Sequence, residues 1–239
     1  MPNGLISILA AMGVVGAVAL ILAATQKDRF NWGWLAAAFA LMIGHDALLT
    51  QGWGLIPLPD IGETWNWTGK LLALAGSLAV AALPMIGWRR VGVTLAHNRS
   101  GLRDALILSG VIVVVFTGLA VMFGGEGGDA ETFAFQTSMP GLEEELFYRG
   151  LLLLAFNEAF ARPVRVVGAP MGWAAVLTSL AFGLDHALGY GSNGFSFDAM
   201  TLALTGGPAL LLVWLRERTG SLLLPVLLHN YANTVFMVV

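Results

Sequence analysis

Long apolar runs alternate with short polar breaks from one end of this chain to the other. Mostly apolar stretches occur at roughly 4–25, 32–50, 70–88, 104–124, 143–161, 171–189, 197–215 and 221–238. Each is close to the ~20 residues that an α-helix needs to cross the hydrocarbon core of a bilayer. The pattern predicts an all-α, polytopic membrane protein of about eight transmembrane helices. In the seventh run, Thr205-Gly206-Gly207-Pro208 predicts a kink or a close helix–helix contact. Gly191-Ser192-Asn193-Gly194 reads as a loop.

Composition supports the membrane reading. Of 239 residues, 57% are hydrophobic and only 11% charged, where a soluble domain carries about 25% charged residues. Mean hydropathy is +0.76, which leaves little material outside the bilayer. The net charge of −3 and the scattered basic pairs give no sign of a nucleic-acid partner. Cysteine is absent, which excludes disulfides, a thiol nucleophile and Cys-ligated zinc. No Lys or Arg precedes the apolar run Leu5 to Ala24, whereas Lys27 and Arg29 follow it. A cleaved signal carries its positive charge first, so this run reads as a retained first span.

The loop charges define an orientation. Lys27 and Arg29; Arg89, Arg90, Arg99 and Arg103; Arg162 and Arg165; and Arg216 and Arg218 fall in the odd-numbered loops. The other side carries Lys70 and an acidic, glycine-rich stretch from Gly124 to Asp129. The positive-inside rule places the odd loops in the cytoplasm and both termini outside, in a multi-pass protein of the cell membrane. The Arg89 to Arg103 stretch divides residues 1–103, three accessory N-terminal spans, from residues 104–239, a core of five.

Three polar clusters interrupt the core spans: Glu144-Glu145 with Arg149, His186 behind Phe182, and His229 with Asn233. Ionisable groups at membrane depth are costly and usually face a protein interior or a water-filled cavity. Helical residues four apart share a face, which predicts an ion pair between Glu145 and Arg149. Glu144 then projects from another face without that cation, as a carboxylate free to take up a proton. The bland alternative puts these acids at a helix start in the headgroup region, favoured by the dipole and by Pro140-Gly141; Glu143 is read that way. His229 and Asn233, one turn apart with nothing charged nearby, can donate to one oxygen as an oxyanion hole requires, or can simply bond another helix. His186 alone reads as an interfacial residue, and Asp185 as a helix-end or solvent-facing group or as one that orients a histidine. His45-Asp46 reads as helix packing. No His-Glu-x-x-His or Gly-x-Ser-x-Gly motif occurs.

Together these residues resemble a known family. Glu144-Glu145-x-x-x-Arg149, Phe182-x-x-x-His186 and His229-x-x-x-Asn233 look like the three ordered motifs of the CAAX prenyl protease and bacteriocin-processing family. That family of intramembrane endopeptidases includes the Ras-converting enzyme. The resemblance covers about residues 102–239 and extends to Phe147-Tyr148-Arg149-Gly150 and to Arg218 through Ser221. It implies that Glu144 and His186 activate water and that His229 and Asn233 stabilise the oxyanion. Glu145, Arg149 and Phe182 then support them. A metal-free reaction is favoured; the alternative is zinc held by Glu144, His186 and His229 with an open fourth position.

The expected function is an endopeptidase that hydrolyses a peptide bond by direct attack of water. Its partners are the lipid bilayer and a peptide or protein substrate, prenylated in the family's namesake reaction. Two rivals keep the same spans: a non-catalytic scaffold or bacteriocin-immunity protein of the same family, and a proton-coupled transporter. Neither needs an Asn one turn after a His, and no internal repeat of the kind found in many transporters is visible.

Overall fold

A computed structural model describes residues 2–26, 29–125, 127–161 and 164–239. Lys27, Glu126 and Arg162, three of the loop charges counted above, lie outside the described residues. Every predicted apolar run contains a helix. In order these are α1 (Asn3–Ala23), α2 (Trp32–Leu49), α3 (Trp67–Ala81), α4 (Arg99–Phe123) and a short, unforeseen α5 (Ala130–Gln136). A π-helix over Pro140–Leu152 continues without a break into α6 (Leu153–Ala159). Then follow α7 (Trp173–Ala187), α8 (Ala199–Thr219) and α9 (Leu223–Val238).

Helix length and composition support four of the eight expected spans directly. By length and composition, four described helices can cross a membrane: α1, α2, α4 and α8. α3 and α9 are apolar but have only 15 and 16 residues, short of the ~20 that a spanning helix needs. Local chemistry sets the ends of α3. The Asn66 side chain accepts from Gly69 N at 2.8 Å and starts the helix. Pro84 follows shortly after its end, where it cannot continue a helix. α8 starts at the Asp198 side chain, which accepts from the N–H groups of Met200 and Thr201, and stops at the left-handed Gly220.

Two short antiparallel hairpins were not predicted. β1 (Val164–Val166) pairs with β2 (Ala169–Met171), and β3 (Leu188–Gly191) pairs with β4 (Gly194–Phe197). The stretch read as a loop, Gly191 to Gly194, is the turn of the second hairpin. Such two-residue turns need backbone freedom, and Gly194 supplies it with a φ of 89°.

One apolar core joins both halves of the chain. It includes Val15 and Ala19 of α1, Ala38 of α2, Leu152 of the π-helix, Phe156 of α6 and Leu177 of α7. α4 packs at the edge, where Ala105 and Ile112 share a smaller core with Leu215 and Leu228. Its outer face leaves Val114, Val121, Met122 and Phe123 exposed, which is the apolar surface lipid requires. The close contact expected around Gly206 is present: a Cβ placed on Gly183 of α7 would stand 3.1 Å from the Cα of Gly206 in α8. We expect Gly183→Val to force these backbones apart and to destabilise the protein by about 1–3 kcal/mol. Thermal unfolding in detergent reads this as a lowered midpoint, and an unchanged midpoint would contradict the close crossing.

Candidate active site

The site is built around the first turns of the π-helix. Its start is tied to α9, because Gly141 N donates to Asn230 Oδ1 at 2.7 Å. The wider i→i+5 winding of this segment is rare overall and is frequent at functional sites. Here it carries Glu143, Glu144, Glu145 and Arg149, which are 0, 9, 0 and 1% exposed. Glu143 is therefore not a headgroup residue, as its place near a helix start suggested. The partners that allow its burial come from the first half of the chain. His45 Nε2 of α2 contacts one of its carboxylate oxygens, and Lys70 Nζ of α3 donates to the other at 2.7 Å. The His45 ring also stacks on Phe147, with centroids 3.7 Å apart.

Glu144 is not the unpaired carboxylate that the α-helical wheel predicted. Lys70 Nζ donates to its Oε1 at 2.5 Å. Its Oε2 is buried without a hydrogen-bond partner and lies 3.6 Å from His229 Nε2. Glu145 pairs with Arg149 at 3.0 Å, as the i,i+4 spacing predicts. Its Oε1 also accepts from His229 Nδ1 at 2.7 Å, so His229 does have charges nearby. The two adjacent glutamates thus approach the two nitrogens of one imidazole, a convergence that a 3.6-residue wheel does not suggest.

Phe182 organises the other side. Its ring lies 4.2 Å from the Arg149 guanidinium carbon, with centroids 4.6 Å from His186 and 5.9 Å from His229. The first is a cation–π contact. His186 Nδ1 donates to the Phe182 carbonyl at 2.8 Å, which leaves Nε2 as the nitrogen free for chemistry. Asn233 Nδ2 donates to Gln136 Oε1 of α5 at 3.1 Å, which fixes the orientation of that amide. Asp185 is exposed, in line with its reading from sequence.

Glu144, His186, His229 and Asn233 all line one cavity of about 730 Å³, together with Lys70, Arg149, Phe182 and Gln136. It is far larger than a single water and falls within the usual range for a ligand pocket. Leu204, Leu211, Leu228, Phe116 and Met237 form its apolar walls. At its edge, Glu131 of α5 accepts from the backbone N–H groups of Glu63, Thr64 and Trp65 at 3.1 to 3.3 Å. Desolvation opposes the ionisation of Glu131, but these donors outweigh it and hold its carboxyl below the usual range. The clamp holds Trp65 and Asn66, two further lining residues, against α5.

The zinc alternative does not fit these residues. Among the described residues no three His, Asp or Glu side chains group as metal ligands. Lys70 holds Glu144 with a positive charge that a divalent cation would oppose.

Lys70, His45, Glu143, Gln136 and Asn230 were not recognised as parts of this site from sequence. Lys70 did carry a signal: it is the one basic residue on the acidic side, beside an apolar run, where a cation needs an anionic partner. The pairing of Glu145 with Arg149 generates a direct expectation. Removing the cation alone leaves a buried carboxylate, a loss of about 3–5 kcal/mol for a buried pair. Arg149→Met should therefore cut the yield of monodisperse protein in size-exclusion chromatography, and wild-type yield would contradict the structural role of the pair.

No curated protein and no solved structure matches the chain significantly. Residues 128–235, which contain the glutamate pair, Arg149, both site histidines and Asn233, match the model of the type II CAAX prenyl endopeptidase Rce1-like family. Through that segment this integral membrane protein is similar to the Rce1-like family of type II CAAX prenyl endopeptidases.

Proposed function

We propose that the protein is an intramembrane endopeptidase that hydrolyses a peptide bond by direct attack of water. The observation that carries this reading is the convergence of Glu144, His186, His229 and Asn233, from three separate helical segments, on one cavity. Water binds between the free Oε2 of Glu144 and Nε2 of His186. Glu144 removes its proton as the new C–O bond forms at the scissile carbonyl. Asn233 Nδ2 and His229 Nε2 donate to the developing oxyanion. Glu145, on the far nitrogen of His229, stabilises the ring when it carries both protons. The C–N bond then breaks, and the proton held by Glu144 passes to the leaving amine. No covalent intermediate forms. The apolar walls suit a hydrophobic residue or an isoprenoid chain beside the scissile bond, and a prenylated peptide is the substrate class implied by the family name.

The membrane arrangement is part of the proposal. All eight helical segments cross or enter the bilayer, the basic loops face the cytoplasm and both termini lie outside. The cavity then opens toward the outer face, since Lys70, Glu144 and His186 sit at the ends of their segments nearest the acidic loops. The absence of cysteine makes this directly measurable. In intact cells a membrane-impermeant maleimide should label Ser192→Cys in the β3–β4 turn, and Ser100→Cys at the start of α4 only after permeabilisation. The reverse pattern would invert the topology.

The catalytic assignment has its own test on purified protein with a fluorogenic peptide. Glu144→Gln should abolish cleavage while the protein still elutes as a folded species. Asn233→Ala should lower kcat by ~10²–10³ with little change in KM, because an oxyanion contact strengthens only in the transition state. A chelator should leave the wild type active. Full activity of Glu144→Gln would end the catalytic reading, and activity lost to chelator and restored by zinc would end the metal-free mechanism.

A further inference from the structure

The segment that matches the family begins at residue 128, yet the cation that holds Glu144 comes from residue 70. We propose that Lys70 is a positioning residue of the active site, so that the N-terminal helices complete the catalytic machinery rather than merely packing beside it; this rests on the endopeptidase reading above.

Three observations support the inference. First, Lys70 has an unfavourable local setting. It lies in the first turn of α3, where the helix dipole disfavours a cation, and its side chain is only 12% exposed. Its place is explained by the two carboxylates it meets, at 2.7 Å on Glu143 and 2.5 Å on Glu144. Secondly, the lysine is itself held. Glu143 is fully buried and bridges Lys70 to His45, whose ring is fixed by stacking on Phe147. Residues from α2 and α3 thus brace one ammonium group from behind. Thirdly, the contact is selective between the two oxygens of Glu144. Lys70 takes Oε1, while Oε2 has no hydrogen-bond partner and lies 3.6 Å from His229 Nε2.

A carboxylate general base needs one oxygen directed at the attacking water and must not rotate away. An ammonium fixed on the opposite oxygen does this. The point-like charge of lysine leaves the rest of the cavity wall open. A purely charge-balancing role predicts something different: loss of Lys70 would lower the folded yield without changing the turnover of the molecules that fold.

The test uses the full-length protein in detergent, with kcat and KM expressed per folded molecule after size exclusion. Lys70→Met should lower kcat by ~10²-fold with KM unchanged, the loss expected when a reacting group is displaced by about 1 Å. Lys70→Arg, which restores the charge, should recover kcat to within ~10-fold of wild type. If Lys70→Met does not fold, Lys70→Gln takes its place with the same expectation. A neutral variant with kcat within about threefold of wild type overturns the proposal.

A second measurement does not depend on activity. A hydrophobic carbodiimide modifies protonated carboxyls within membranes, and peptide mass mapping locates the adduct. Glu144 should be protected in the wild type and modified in the neutral Lys70 variant. Equal modification in both overturns the proposal. If the wild type cleaves no peptide but the labelling contrast holds, the endopeptidase reading fails while the lysine clamp on Glu144 stands.

Discussion

Charged groups cannot be left unpartnered between helices that face lipid, and one turn and a half of this chain buries three carboxylates and a guanidinium. Much of the architecture around the cavity follows from that requirement. Glu143 draws His45 and Lys70 inward, Glu144 shares Lys70, and Glu145 takes Arg149 and His229. The π-helical winding directs adjacent glutamates at different partners while keeping all of them inside. A buried ion pair seldom gains net stability over a well-packed apolar pair, but losing one partner is costly. The cluster is therefore better understood as a device for holding groups in fixed positions than as a source of stability.

That requirement also binds the two halves of the chain together. α2 and α3 supply a histidine and a lysine to a segment more than seventy residues away. At the cavity edge Glu131 of α5 gathers the backbone of residues 63 to 65. Both ties lie beside the cavity rather than at the far end of the bundle. A shift of the N-terminal helices would therefore move Glu144 and Trp65 together, coupling this carboxylate to one wall of the pocket.

Phe182 has a related role. Its ring faces Arg149, His186 and His229 at once, so one aromatic side chain sets the spacing between the ion pair and both histidines. Gln136 does the same for the Asn233 amide. Neither group supplies or accepts a proton in the proposed reaction. Their contribution is to limit the movement of those that do, which is what an electrostatically preorganised site requires.

Periodicity and composition alone determined that the chain is helical and built for lipid, because an apolar run of this length has no other stable form in a bilayer. Each predicted run does contain a helix, and the i,i+4 spacing correctly paired Glu145 with Arg149, since that contact depends only on local geometry. The ordered polar motifs likewise named four residues that meet at one cavity. Other features were beyond local pattern. The lengths of α3 and α9 depended on caps and breakers that hydropathy does not weigh, and the two hairpins were too short to show a period. The burial of Glu143 and the clamp on Glu144 needed partners 98 and 74 residues away. Only tertiary structure brings such partners together, because the free energy that makes a lysine pair with a glutamate exists once both have left water, and the sequence does not say where that happens.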